Sequence, residues 1–417
     1  MDSPLCPGYP KRMATDLGVR FLDRTTPPHI STLILLAGIG ALTMNIFLPS
    51  LPGMARAFDA DYQLVQLSVA LYLGMNAVLQ LIIGPLSDRF GRRPVVLGAL
   101  MLFSLASVGC ALSQNIYVFL AFRMIQAVVV TGLVLSRAIV RDMVPQDQAA
   151  SMIGYVTMGM AVVPMIGPAF GGLLDEAFGW ESNFWLLALL GVAIIALVWR
   201  DLGETAPMAN TSIAQQLQDT PELFRSQRFW GYCLAALFAS GAFFAYLGGA
   251  PYVGSDIFGL SQSTVGILFG APAVGYMIGN GVSGRYSKRF GIDIMILWGT
   301  IITVIGLGVA LISHYAGLRT PLSFFGFMTF IGLGNGLVVP NTMAGMLSVR
   351  PHLAGTASGV GGALMLGGGA ALSAFAGWIL TQGTTAAPLL WTMVVTSALS
   401  VVAILAVIRR ARHLKEL

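Results

Sequence analysis

Along the apolar stretch 63–86, Ser68, Tyr72, Asn76 and Gln80 recur at every fourth residue. That spacing stacks their side chains on one face of a helix. Two hundred residues further on, Tyr276 and Asn280 stand in the places of Asn76 and Gln80. Arg123 and Gln126 stand three apart in another apolar stretch, while Asn45, Tyr246 and Asn341 interrupt three more. These side chains can hydrogen-bond, stack and, at Arg123, hold positive charge. They include no nucleophile beside a base and no carboxylate pair. The chemistry open to them is reversible binding of a solute, or hydrogen-bonded packing between helices.

Arg123 is the sharpest of these signals. A cation inside a bilayer is costly and faces a water-filled cavity or a partner. No Asp or Glu lies in the central part of any apolar stretch, which leaves Gln126, Asn45 or an unwound carbonyl to receive it. Snorkelling to the nearer surface is the other reading. The four histidines, His29, His314, His352 and His413, sit at the ends of stretches or in tails. The three cysteines, Cys6, Cys110 and Cys233, are scattered. Neither set makes a metal site or a disulfide framework, and no cofactor is expected.

The elements that position these residues follow from composition. Apolar residues make up 56% of the 417 and charged residues 10%, where a soluble domain carries about 25% charged residues. Twelve stretches reach the roughly 20 residues that span a bilayer. They are 30–51, 63–86, 94–112, 116–140, 148–174, 182–200, 229–250, 262–283, 293–313, 320–345, 353–380 and 386–408. The expected architecture is an all-α, twelve-helix membrane protein. It has an N-terminal tail (1–29), a six-helix half (30–200), a polar linker (201–228), a second six-helix half (229–408) and a C-terminal tail (409–417). The first 28 residues lack an apolar core followed by a cleavage site, so they read as a polar tail rather than a signal peptide.

Basic residues set the orientation. With both termini cytoplasmic, all 23 Lys and Arg except Arg56, Arg123 and Arg319 fall on the inside, as membrane topology favours. The formal charge of +5 is then a topological signal and not a nucleic-acid footprint, which would cluster on one folded face. We call this side the basic face and the other the far face.

Between the second and third stretches lies a dense polar knot, "GPLSDRFGRRP". Shifted by 200 residues, Gly84, Ser87, Arg89, Phe90 and Gly91 fall on Gly284, Ser287, Arg289, Phe290 and Gly291. "GLVLSR" (132–137) echoes "GLVVPN" (336–341). The chain is thus two parallel six-helix halves, a plan in which the binding site lies between the halves near the midplane. Gly84 is expected to let two helix ends approach closely. Arg89, Arg92 and Arg93 sit at headgroup level and read as anchors. Asp88 is not explained that way, since acids contribute little to orientation.

The knot resembles the motif that major facilitator proteins carry between their second and third helices. "LAFRMIQA" (120–127) is similar to that family's fourth-helix motif. "GMAVVPMIGPAFGG" (159–172) is similar to the fifth-helix motif of its antiporter branch. With "FLPSLP", "SRAIVRDM" and "FGW", these resemble the bicyclomycin/chloramphenicol-resistance (Bcr/CflA) subfamily of drug exporters. The resemblance implies a bacterial inner-membrane protein that exports small drug-like compounds in exchange for protons by alternating access. It implies that Asp88 latches the two halves together at the basic face. It also implies that Pro164, Gly167, Pro168, Gly171 and Gly172 form a helix that blocks leak. Their spacing by itself indicates only tight helix packing and bending.

One departure stands out. The subfamily usually carries an acid on helix 1 before "LPxLP", whereas this chain reads "TMNIFLPSLP", with Asn45 at that place. Asparagine cannot titrate, and Asp142, Asp175 and Asp256 at span ends are the acids that remain, none of them well placed to carry a proton. The expected function is secondary efflux of neutral or weakly anionic compounds, by a monomer that engages lipid, solute and protons but no nucleic acid. An exporter of an endogenous metabolite is an alternative. A membrane enzyme lacks any visible catalytic set, and a channel fits the two-half repeat poorly.

Overall fold

The structure is a computed structural model that describes residues 20–143, 152, 156, 163–205, 223–350, 354–380 and 385–413. Among the described residues the first half holds α1 (Ile30–Ala57), α2 (Tyr62–Phe90), α3 (Arg92–Ala111), α4 (Ile116–Val140), α5 (Val163–Phe178) and α6 (Glu181–Asp201). The second holds α7 (Gln227–Ile257), α8 (Gln262–Phe290), α9 (Ile292–Tyr315), α10 (Pro321–Val349), α11 (Thr356–Leu380) and α12 (Ala387–Ala411). All but α5 are long and apolar enough to cross a membrane. The expected fifth span began at 148, and most of 148–162 lies outside the described residues, as do 1–19, 206–222 and 414–417 of the expected tails and linker.

Sequence chemistry explains the irregular points. Pro49 and Pro52 cannot donate backbone hydrogen bonds, and α1 tightens into a 3-10 turn over Leu48–Ser50 before resuming at Leu51. The α2–α3 and α8–α9 junctions each turn on one glycine, Gly91 at φ +91° and Gly291 at φ +84°. Side chains disfavour that region, so the repeated glycine of the knot is a backbone requirement.

Within the first half α1 packs on α4, α5 and α6, and α3 packs on α6. Within the second, α7 packs on α10, α11 and α12, while α8 and α9 both pack on α10. The halves meet mainly through two pairs, α2 with α11 and α5 with α8, with smaller contacts of α7 on α1 and α2. The repeat relates α2 to α8 and α5 to α11, so the two pairs are copies of one contact.

Glycine decides how close these contacts come. A Cβ on Gly171 would overlap the Ile46 carbonyl of α1, and one on Gly172 would overlap the Gln262 carbonyl of α8 in the other half. One on Gly266 of α8 would overlap the Pro168 carbonyl of α5. Gly84 behaves differently from the expectation. A Cβ there, or on Gly284, would meet nothing within 4 Å, so neither draws two helices together. Gly84 precedes Pro85 inside α2. A proline ring crowds the preceding Cβ in helical geometry, so its lack of a Cβ keeps α2 helical into the knot.

These placements give opposite outcomes for one substitution. Gly284→Ala should leave thermal stability unchanged or raise it by up to about 1 kcal/mol. Gly171→Ala should lower it and cut the yield of folded protein. Melting in detergent compares the two, and equal effects would contradict the packing described.

Candidate functional site

In the first half, the polar residues close on one another. The Arg123 side chain is completely buried. Its guanidinium donates to Gln126 Oε1 and, over 3.0 Å, to the Thr43 carbonyl in α1. The Phe47 ring lies 4.2 Å and the Tyr72 ring 4.3 Å from its central carbon. Gln126, also fully buried, donates to Ser107 Oγ over 2.7 Å. Tyr72 reaches the Gly40 carbonyl at 3.4 Å, and Asn76 is buried one turn further along α2. A desolvated cation on an aromatic face gains about 2 kcal/mol. Two faces, a carbonyl and an amide thus hold Arg123 without a carboxylate.

Of the two settings expected for Arg123, a cavity or a partner, this structure shows the partner: Gln126 and a backbone carbonyl receive it. Asn45 does not serve it, since its amide donates to Ala41 O in its own helix over 2.7 Å. Tyr246 is likewise enclosed, its ring 4.6 Å from Phe269 and 6.4 Å from Phe325.

The second half has its own network. Buried Asn341 donates to Ser283 Oγ over 2.8 Å and to Leu337 O over 2.7 Å. Asn280 donates to Tyr276 O over 2.9 Å. Tyr276 and Asn280 are half-buried, and Arg137 of α4 lies within electrostatic reach of the Tyr276 phenol. Gln80 of α2 lies against Gly362 of α11. Gln80, Arg137 and Tyr276 are therefore the predicted or suspected polar groups that face across the halves.

At the basic face the knot is tied within the first half. Arg92 pairs with Asp88 at 2.7 Å and with Asp142, at the end of α4, at 3.2 Å. Burial pushes the Asp142 carboxyl above its ordinary range despite that guanidinium. Glu204, just past α6, accepts the backbone N–H groups of Arg92 and Arg93 over 2.8 and 3.2 Å. It caps the N-terminus of α3, where a carboxylate is favoured. Arg93 lies over the Trp199 ring of α6, and Arg89 over Phe90. Among the described residues Asp88 does not reach the second half, so the implied latch is not made in this structure.

The halves are joined instead at the far face. Tyr62 donates to Gly248 O over 3.0 Å, and buried Gln66 donates to Ser373 O and Oγ over 2.6 and 2.8 Å. Glu176 at the end of α5 accepts the Ser263 N–H of α8 over 3.0 Å. The hydrogen bonds described between the halves all lie at this face, beside the Gly172 and Gly266 contacts. Gly167 meets Leu42 of α1, and Pro168 faces Gly266 across the halves; the Pro164 side chain lies outside the described residues. The sequence reading missed Gln66 and Tyr62. Their four-residue spacing was a usable signal, on a face of α2 adjoining that of Ser68 and Tyr72.

Two six-helix halves related by a repeat and hydrogen-bonded to each other at the far face define a transporter architecture rather than an enzyme. A family profile for the Major Facilitator Superfamily matches residues 33–374 and 250–416. The chain belongs to that superfamily. It is 34% identical to the uncharacterized MFS-type transporter YdgK of Bacillus subtilis, over 88% of this chain and 91% of that one. It is 31% identical to a chloramphenicol resistance protein of Pseudomonas aeruginosa (79% and 78%) and 28% identical to multidrug resistance protein D of Escherichia coli (87% and 91%). These relatives, with a bicyclomycin resistance protein homolog of Haemophilus influenzae, support the Bcr/CflA subfamily. The crystal structure of a D-xylose-proton symporter shares the fold at a TM-score of 0.72 and 15% identity, covering 91% of this chain and 96% of that one.

Enclosure of Arg123 makes its role in stability measurable. Arg123→Ala leaves two buried acceptors without a donor, and Arg123→Lys cannot reproduce the planar fork. Each should destabilise the protein by about 2–3 kcal/mol, read as a lower melting temperature in detergent. Unchanged stability in both would show that the network is not structural.

Proposed function

We propose that the chain is a drug exporter of the bacterial inner membrane, working as a monomer with both termini cytoplasmic. It takes small amphipathic compounds from the basic, cytoplasmic side and releases them at the far face in exchange for protons. The names of its relatives support the drug class, and the distribution of basic residues supports the orientation. The observation that carries alternating access is the one-sided closure. Gln66–Ser373, Tyr62–Gly248 and the Gly172 contact seal the far face, while Asp88 is held within its own half. Forming the Asp88 latch across the halves at the basic face would belong to the reverse state.

The interior favours solutes without positive charge. The Arg123 guanidinium has only neutral hydrogen-bond partners, and Arg137 lies within electrostatic reach of Tyr276 in the second half. No Asp or Glu occupies the central part of a span. At about 10 Å and an effective dielectric of about 20, one like charge costs about 1.7 kcal/mol, more than tenfold in affinity. Neutral or weakly anionic compounds escape that cost.

A susceptibility panel in an efflux-deficient host tests this reading, with uptake into inverted vesicles measured with and without a pH gradient. Neutral phenicol-type or sulfonamide-type compounds should be exported better than ethidium or tetraphenylphosphonium, and the gradient should drive their uptake. Strong resistance to the cations with none to neutral drugs would overturn the charge argument.

A further inference from the structure

The far-face seam contains a carboxyl group that its neighbours do not satisfy. Asp175 lies near the end of α5, one residue before Glu176. The Ser50 hydroxyl at the α1 break donates to it. Ser50 in turn accepts from Asn183 Nδ2 over 3.2 Å, so its one proton is committed to the carboxyl. The second oxygen, Oδ2, is buried and has no hydrogen-bond partner. The other half helps to cover this site. A Cβ built on Gly53 would lie 3.7 Å from Gln262 Nε2 of α8 and 3.9 Å from Asp175 Oδ2. The adjoining seam is the place where Gly172 meets the Gln262 backbone.

An ionised carboxylate here leaves the buried oxygen of this half-buried residue without a donor, and that is costly. A protonated carboxyl carries no net charge, and its hydroxyl is a weaker demand on the surroundings. Parting α5 and α8 at Gly172 would withdraw Gln262 and let water hydrate both oxygens. The charged groups facing Asp175 reinforce the difference: Glu176 on α5 and Glu181 on α6 add negative charge, and Arg56 on α1 opposes them. From α8, the neighbours at this point are the neutral Gln262 and Ser263.

We propose that Asp175 is a proton-binding latch of the far-face gate, holding the seam shut when protonated and releasing it when ionised. The proton enters and leaves on the same face, so the latch sets the pH dependence of the gate and does not by itself carry a proton across the membrane. Its action is independent of which solute is transported, and it can be tested without one.

The test uses spin labels on two exposed far-face positions, Leu112 of the first half and Leu318 of the second, in the full chain lacking its three native cysteines. Distance distributions are recorded in lipid nanodiscs from pH 5 to pH 8.5. The latch predicts a short distance at low pH that gives way to a longer one as pH rises. Asp175→Asn should hold the short distance throughout, while Asp175→Glu should keep the pH response. Glu176→Gln and Glu181→Gln should also keep it, with a lowered midpoint. Ser50→Ala removes the one donor to the ionised form, and should raise the midpoint by about one pH unit. It therefore decides the matter even where Asp175→Asn does not fold. A wild-type distance that ignores pH, a response that survives in Asp175→Asn, or a midpoint unmoved by Ser50→Ala would each overturn the proposal.

Discussion

Backbone contact between the two halves, made possible by glycine, is the constraint from which the rest of this structure follows. In lipid there is little hydrophobic drive to pull one helix onto another, so close packing and hydrogen bonds must supply the contact. Gly172 and Gly266 let α5 and α8 approach until each backbone touches the other. On the copy-related pair, Gly248 of α7 and Gly377 of α11 leave the space that Gln66 of α2 fills. The hydrogen bonds of Gln66, Tyr62 and Glu176 add direction to a contact that small residues had already made close.

Each half is tied together by its own polar network. In the first, Arg123 draws α1, α2 and α4 around one guanidinium, and Gln126 extends the link to α3 through Ser107. Glu204 and the fully buried Asp201 then fix the start of the linker. Asp201 accepts from Leu22 N, His29 N and Thr32 Oγ1 over 2.8, 2.9 and 2.6 Å. In the second half, Asn341 and Ser283 tie α10 to α8. Polar groups are spent inside the halves, and the interface between them relies on few directional bonds. Such a division suits a rocking motion, because the bonds that must break are those of the seam.

Much of this was legible in the sequence, for reasons that are local. The apolar stretches act through short-range composition, and the described helices follow them. Gly91 could be read as a turn because its conformation depends on its own backbone. The environment of Arg123 could not. The Thr43 carbonyl and the Phe47 ring reach Arg123 from α1, about eighty positions earlier in the chain. Gly84 was misread for a related reason: its neighbour Pro85 explains it, and no second helix is needed. Asp88 shows a different limit: the contact across the halves that the resemblance implies for it is not made in this structure, where it pairs with Arg92.

Rigid halves rocking about the far-face seam make a prediction at the opposite end of the molecule. Gly172→Leu places a wedge where α5 meets α8. Spin labels on Leu86 of α2 and Ile294 of α9, both exposed near the basic face, report whether the far end responds. The distance between them should shorten in the Gly172→Leu protein relative to the unsubstituted one. An unchanged basic-face distance, in a protein that folds and carries the wedge, would contradict the account.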